Sequence, residues 1–86
     1  MNYQEMSDEQ IEFAVSDALG IPRGDKWCSD WAVSGPIISQ EEISIIFHWN
    51  DAGIHGAVPT FPARYYEDPN PLRAAMIVFL MMKGGE

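Results

Sequence analysis

The sequence predicts an α+β fold: two helices packed on one face of a small antiparallel sheet, in the order α-β-β-α, with Pro36–Ser39 as a candidate extra edge strand. Three observations predict it. A capped, amphipathic segment opens the chain at Ser7. A β-branched and aromatic run, Ile43 to Trp49, is followed by turn residues and a second run, Ile54 to Val58. An apolar segment, Ala74 to Met82, starts just after Asn70-Pro71 and stops at Gly84-Gly85. The 86 residues make one domain, 1–86, and a chain of this length buries about 60% of the surface its unfolded form exposes.

The first helix is predicted over Ser7 to Leu19. Ser7 is an N-cap, Gln10 three residues on completes a capping box, and Met6 and Ile11 occupy the staple positions. Ile11, Ala14, Val15, Ala18 and Leu19 recur at the spacing of one buried stripe, which leaves Glu5, Glu9, Glu12, Ser16 and Asp17 for solvent. Gly20 suits a left-handed C-terminal position, Ile21 follows for a Schellman contact, and Pro22 bars continuation. Arg23 to Gly35 reads as a loop, because Gly24, Ser29, Ser34 and Gly35 break periodicity. That loop nevertheless holds Trp27 and Trp31, which need apolar cover or line a site.

The sheet reading rests on Ile43 to Trp49 and Ile54 to Val58 as a hairpin through Asn50 to Gly53. Pro59 to Pro71 carries prolines at 59, 62, 69 and 71 and reads as an irregular crossing. Asn70 caps the last helix, and Pro71 stands at its first position, where a missing N–H costs nothing. This helix is apolar on every face, so it needs cover on more than one side. Beyond what the sheet and first helix supply, the remainder points to a homodimer or a partner surface.

Composition narrows the function. Thirteen acids against five bases leave a net charge of −8. That balance argues against direct nucleic-acid binding, which needs clustered Lys and Arg, and against an anionic membrane surface. No apolar run approaches the ~20 residues of a membrane helix, and the first eight residues lack the pattern of a signal peptide. Cys28 is the single cysteine, so no internal disulfide forms. Cys28 with His48 or His55 matches no catalytic signature, and the two histidines with Asp51 match no standard metal spacing. No catalytic residue, metal or cofactor is expected.

Two segments stand out. Asp30-Trp31-Ala32-Val33-Ser34-Gly35-Pro36-Ile37-Ile38 joins turn residues to an indole. Arg73 sits in the first turn of the last helix, where a cation opposes the helix dipole. It either pairs with an acid such as Glu67, Asp68 or Asp30, or adds to the helix N-terminus as an anion site. Trp27, Asp30, Trp31, Ser34, Asn70 and Arg73 are the expected binding residues, gathered on one concave surface.

The same segments carry a family likeness. Ser29-Asp30-Trp31-Ala32 leading into Gly35-Pro36-Ile37-Ile38, then Ile43-Ser44-Ile45-Ile46, then Asn70-Pro71-Leu72-Arg73-Ala74-Ala75-Met76, resembles the NinX-like family of small phage proteins over about residues 11 to 83. The stretch Trp49 to Phe61 departs most from that family's pattern. The resemblance implies an accessory protein in the cytoplasm of an infected or lysogenic bacterium, with no activity attached to it. Two readings follow. The first is a non-catalytic interaction protein that binds a host protein, a defence protein among the candidates, through an acidic surface or the last helix. The second is a binder that sequesters a small nucleotide-like ligand between Trp27, Trp31 and Arg73, since indoles stack bases and arginine takes phosphate.

Overall fold

Ser7 starts the first helix as its residue type dictates. In the computed structural model, which describes residues 3–46, 54–58 and 66–84, the Ser7 hydroxyl accepts the Gln10 backbone N–H at 3.1 Å. The Gln10 amide oxygen in turn accepts the Ser7 N–H at 2.8 Å. The helix α1 runs Asp8–Leu19, preceded by a 3-10 turn at Tyr3–Glu5. Gly20, at φ 71°, closes it in the left-handed conformation. The Gly20 and Ile21 N–H groups donate to Asp17 O and Ser16 O, the two bonds of a Schellman motif.

The buried face of α1 differs from the expected stripe. Ile11 and Val15 are buried, but so are Glu12 and Ser16, while Ala18 faces solvent. The stripe is rotated because Glu12 and Ser16 have polar partners in the segment that packs on them.

The expected loop over Arg23 to Gly35 and the candidate edge strand Pro36–Ser39 are both corrected. Helix α2 spans Trp31–Gln40. Asp30 is its N-cap and accepts the Ala32 N–H at 2.9 Å. Gly35 and Pro36 lie inside it. Proline removes one N–H from the ladder but already holds a helical φ, so ten residues tolerate it when packing compensates. That packing comes from Val33, Ile37 and Ile38 against the core, with Ser34 fully buried between them. Positions 33, 34, 37 and 38 share one helical face. Glu42 then turns the chain through a left-handed φ of 55°, and Ile43 enters the core.

The hairpin is present. β1 is Ser44–Ile46 and β2 is His55–Val58, antiparallel, with Ser44 opposite Val58 and Ile45 opposite Ala57. The expected continuation through Phe47–Trp49, His48 included, and the turn at Asn50–Gly53 lie outside the described residues. The crossing expected to be irregular contains a third strand, β3, Tyr66–Asp68. It pairs with β2 in antiparallel register, Ala57 opposite Tyr66 and His55 opposite Asp68. The sheet order is β1-β2-β3, and Ile45, Ala57 and Tyr66 form a cross-strand row on its core side.

Helix α3, Pro71–Gly84, touches all three strands as well as α1 and α2. Every residue from Leu72 to Leu80 is at most 9% exposed within one chain. The helix is apolar all round because other elements surround it. Helix α2 and strand β3 supply the cover that the expected two-helix, two-strand arrangement lacked, so an uncovered α3 face no longer argues for a homodimer.

Candidate functional site

The polar interior gathers where the segment Trp27–Cys28 crosses between α1 and the start of α3. Trp27 is 4% exposed. Its indole Nε1–H donates to Ser16 Oγ at 3.0 Å, and its carbonyl accepts the buried Ser34 hydroxyl. Cys28 donates its backbone N–H to Glu12 Oε2 at 3.2 Å. Its carbonyl accepts from Asn70 Nδ2 at 2.6 Å. Asn70 also caps α3: its Oδ1 accepts the Leu72 N–H at 3.0 Å, and its own N–H donates to Asp68 Oδ1 at 2.9 Å. One amide thus joins the tryptophan segment to the helix it abuts.

Arg73 lies in the first turn of α3, buried, with its donors spread over three parts of the chain. Nε donates to Asp68 Oδ2 at 3.1 Å and Nη1 to Asp8 Oδ1 at 2.7 Å. Nη2 donates to the carbonyls of Tyr3, at 3.1 Å, and Met6, at 2.6 Å. Burial works against the charged guanidinium, but the Asp8 and Asp68 carboxylates outweigh it and hold the pKa above its ordinary value. The expected partner Asp68 is found. Asp30 is not a partner, because its carboxylate is used at the cap of α2.

The six expected binding residues therefore divide. Trp27, Ser34 and Asn70 come together around Cys28, and Arg73 ties the start of α3 to the N-terminal segment. All four are engaged with the chain itself. Asp30 is exposed at the head of α2, and Trp31, at the first position of that helix, is 49% exposed. The residues that sequence reasoning missed are the acceptors: Asp8, Glu12 and Ser16. Glu12 and Ser16 are four apart in α1 and flank Ile11 and Val15, a spacing that puts them on the buried side once the helix phase is shifted by one residue.

Cys28 is 1% exposed. Burial pushes its thiol up to about 12, and the nearby Asp8 and Glu12 carboxylates add to the shift. A nucleophilic cysteine needs the opposite, a lowered pKa and access. Among the described residues no three His, Cys, Asp or Glu side chains stand together as metal ligands, and no helix is long and apolar enough to cross a membrane.

Fold and site together define a small α+β domain: a three-stranded antiparallel meander on a central helix, with a polar seam closed by its own N-terminal segment. The family model described as bacteriophage P22, NinX matches residues 25–83, more than half of the chain. This chain belongs to that phage family. The match takes in α2, the whole sheet and all but the last residue of α3, and begins past α1, later than the residue 11 expected from the sequence. No curated protein matches the chain.

Proposed function

We propose that this phage-family chain acts by binding rather than catalysis, and that it takes a host protein, a defence protein among the candidates, on the outward side of α2. The observation that carries this reading is Trp31. A half-exposed indole stands at the head of a ten-residue helix without a single charge, in a chain of net charge −8. Ala32 and Pro36 are exposed beside it, and a Cβ at Gly35 would meet open space. Tryptophan is enriched where interfaces concentrate their energy, and a charge-free centre suits an interface core. Exposed acids at Asp25, Asp30 and Glu42 rim the helix ends in sequence and favour a basic partner surface.

The nucleotide-like reading has less support. Trp27 has its ring N–H bonded to Ser16 and its ring buried, and Arg73 is surrounded by four acceptors of the chain itself. The cytoplasm of the infected host is the compartment this reading requires. The test is an affinity capture from host lysate with the wild-type chain and with Trp31→Ala, both folded by circular dichroism. A host protein held by the first and lost from the second supports the reading. Identical captures from the two chains would refute it.

A further inference from the structure

The polar seam has a direction. Its donors, Arg73 Nη1 and Nη2, Trp27 Nε1 and the Cys28 N–H, belong to residues 27–73. Their acceptors, Asp8 Oδ1, the Tyr3 and Met6 carbonyls, Ser16 Oγ and Glu12 Oε2, all belong to residues 3–16. The Cys28 thiol points the same way, 3.9 Å from Asp8 O. Tyr3, Ile11 and Val15 add apolar contacts on the same side. The N-terminal segment thus meets the rest of the domain as a ligand meets a receptor. It brings acceptors, two of them carboxylates, to a surface of buried donors.

We propose that this receptor surface also takes the N-terminal segment of a second copy of the chain, so that two molecules exchange residues 3–19. Three observations carry the proposal. First, residues 20–26, which join the segment to Trp27, are all exposed and outside regular structure, with Gly20 at φ 71° and Gly24 at φ 144°. Gly20, Ile21 and Arg23 bond back to Ser16 and Asp17 and move with α1. The turn therefore falls to residues 24–26, which span up to ~10 Å when extended, and a change of torsions there redirects α1 without touching the core. Second, an open form without replacement is unfavourable. Arg73 is 9% exposed and would lose its bonds to Asp8, Tyr3 and Met6 while remaining charged. Third, exchange restores each of those bonds in trans, since the incoming segment is the same sequence. The seam selects for Asp8 and Glu12 on the incoming helix, and the copy of this chain carries both.

Two measurements on the full chain test this. Removing Pro22, Arg23 and Gly24 shortens the return from α1 to Trp27. Sedimentation equilibrium is expected to give twice the 9.7 kDa chain mass with a native circular dichroism spectrum, and a folded monomer would overturn the proposal. Should that chain not fold, the second measurement decides. A dye-labelled peptide of residues 1–20 is added to the chain carrying Asp8→Asn, whose own segment is held less firmly. Fluorescence polarisation is expected to show uptake, weakened by about tenfold or more when the peptide carries Asp8→Asn and Glu12→Gln. No uptake by a chain with native circular dichroism, or equal uptake of both peptides, would overturn it.

Discussion

Arg73 shows how one side chain can hold several elements at once. It carries a buried charge, two carboxylate partners and two carbonyl partners. Replacing it with alanine leaves the mostly buried Asp68 carboxylate without its cation. Breaking a buried pair costs ~3–5 kcal/mol, and Arg73→Ala should cost about 3 kcal/mol because Asp8, 59% exposed at its side chain, regains water. The urea midpoint reports it. Cys28 supplies a prediction with a sign. Its thiol is protonated up to about 12 when folded and ionises from 9.0 when free of the fold. Between those values the native state binds the extra proton, so stability is full below pH 9 and falls as pH rises toward 12. Denaturation midpoints across that range should show the decline, and Cys28→Ser should flatten it. The local half of this chemistry was legible: the Ser7 box, the Asn70 cap and Asp68 as a partner all lie within five residues of what they bind. Asp8 is 65 residues from Arg73, and nothing in sequence spacing marks that pair.

At the scale of elements, helix α2 is the instructive miss. Gly35-Pro36 inside Trp31–Gln40 reads as a break, and local propensity alone favours that reading. Tertiary contacts of Val33, Ile37 and Ile38 override it. The pattern that could have found the helix is Asp30 as a cap followed by apolar residues at i+3, i+7 and i+8. Interior proline costs ~3 kcal/mol and returns ~1 kcal/mol by restricting the unfolded chain. Pro36→Ala should therefore stabilise by about 2 kcal/mol, seen as a raised Tm with an unchanged spectrum. Helix α1, whose signals are all local, was readable from cap to cap, and Ser7→Ala should cost about 0.5–2 kcal/mol on the same measurement. Its phase was not readable, because Glu12 and Ser16 are polar residues buried by partners 16 and 11 positions away. β3 escaped for a similar reason: Tyr66–Asp68 between prolines has no periodicity, and its pairing with β2 defines it.

For the whole molecule, charge and burial pull apart. A net charge of −8 on 86 residues repels itself across the surface, and the repulsion falls as salt shortens the screening length to about 10 Å at 0.1 M. Most of the interior is closed by apolar contacts, which salt does not screen. The Tm should rise between ~0.02 M and ~0.2 M sodium chloride. A fall would mean that ion pairs such as Asp17–Arg23 and Glu41–Lys83 outweigh the net repulsion. The class of the fold was evident from patterning alone. Its closure was not, because α2 and β3, which complete the cover that α1 and the β1-β2 hairpin begin over α3, are the two elements that patterning did not resolve.

Asn70 bears on how the protein ages. Its amide oxygen faces the Leu72 N–H and its amide nitrogen faces the Cys28 carbonyl, so both ends of a nearly symmetric group have assigned tasks. Spontaneous loss of ammonia from asparagine usually proceeds through attack by the following backbone nitrogen, and here that nitrogen belongs to Pro71 and carries no hydrogen. The next residue therefore shields the junction from the commonest route of chemical decay. Asn70→Asp would mimic the decayed product: the cap oxygen survives, while two acceptors face each other across the former 2.6 Å contact.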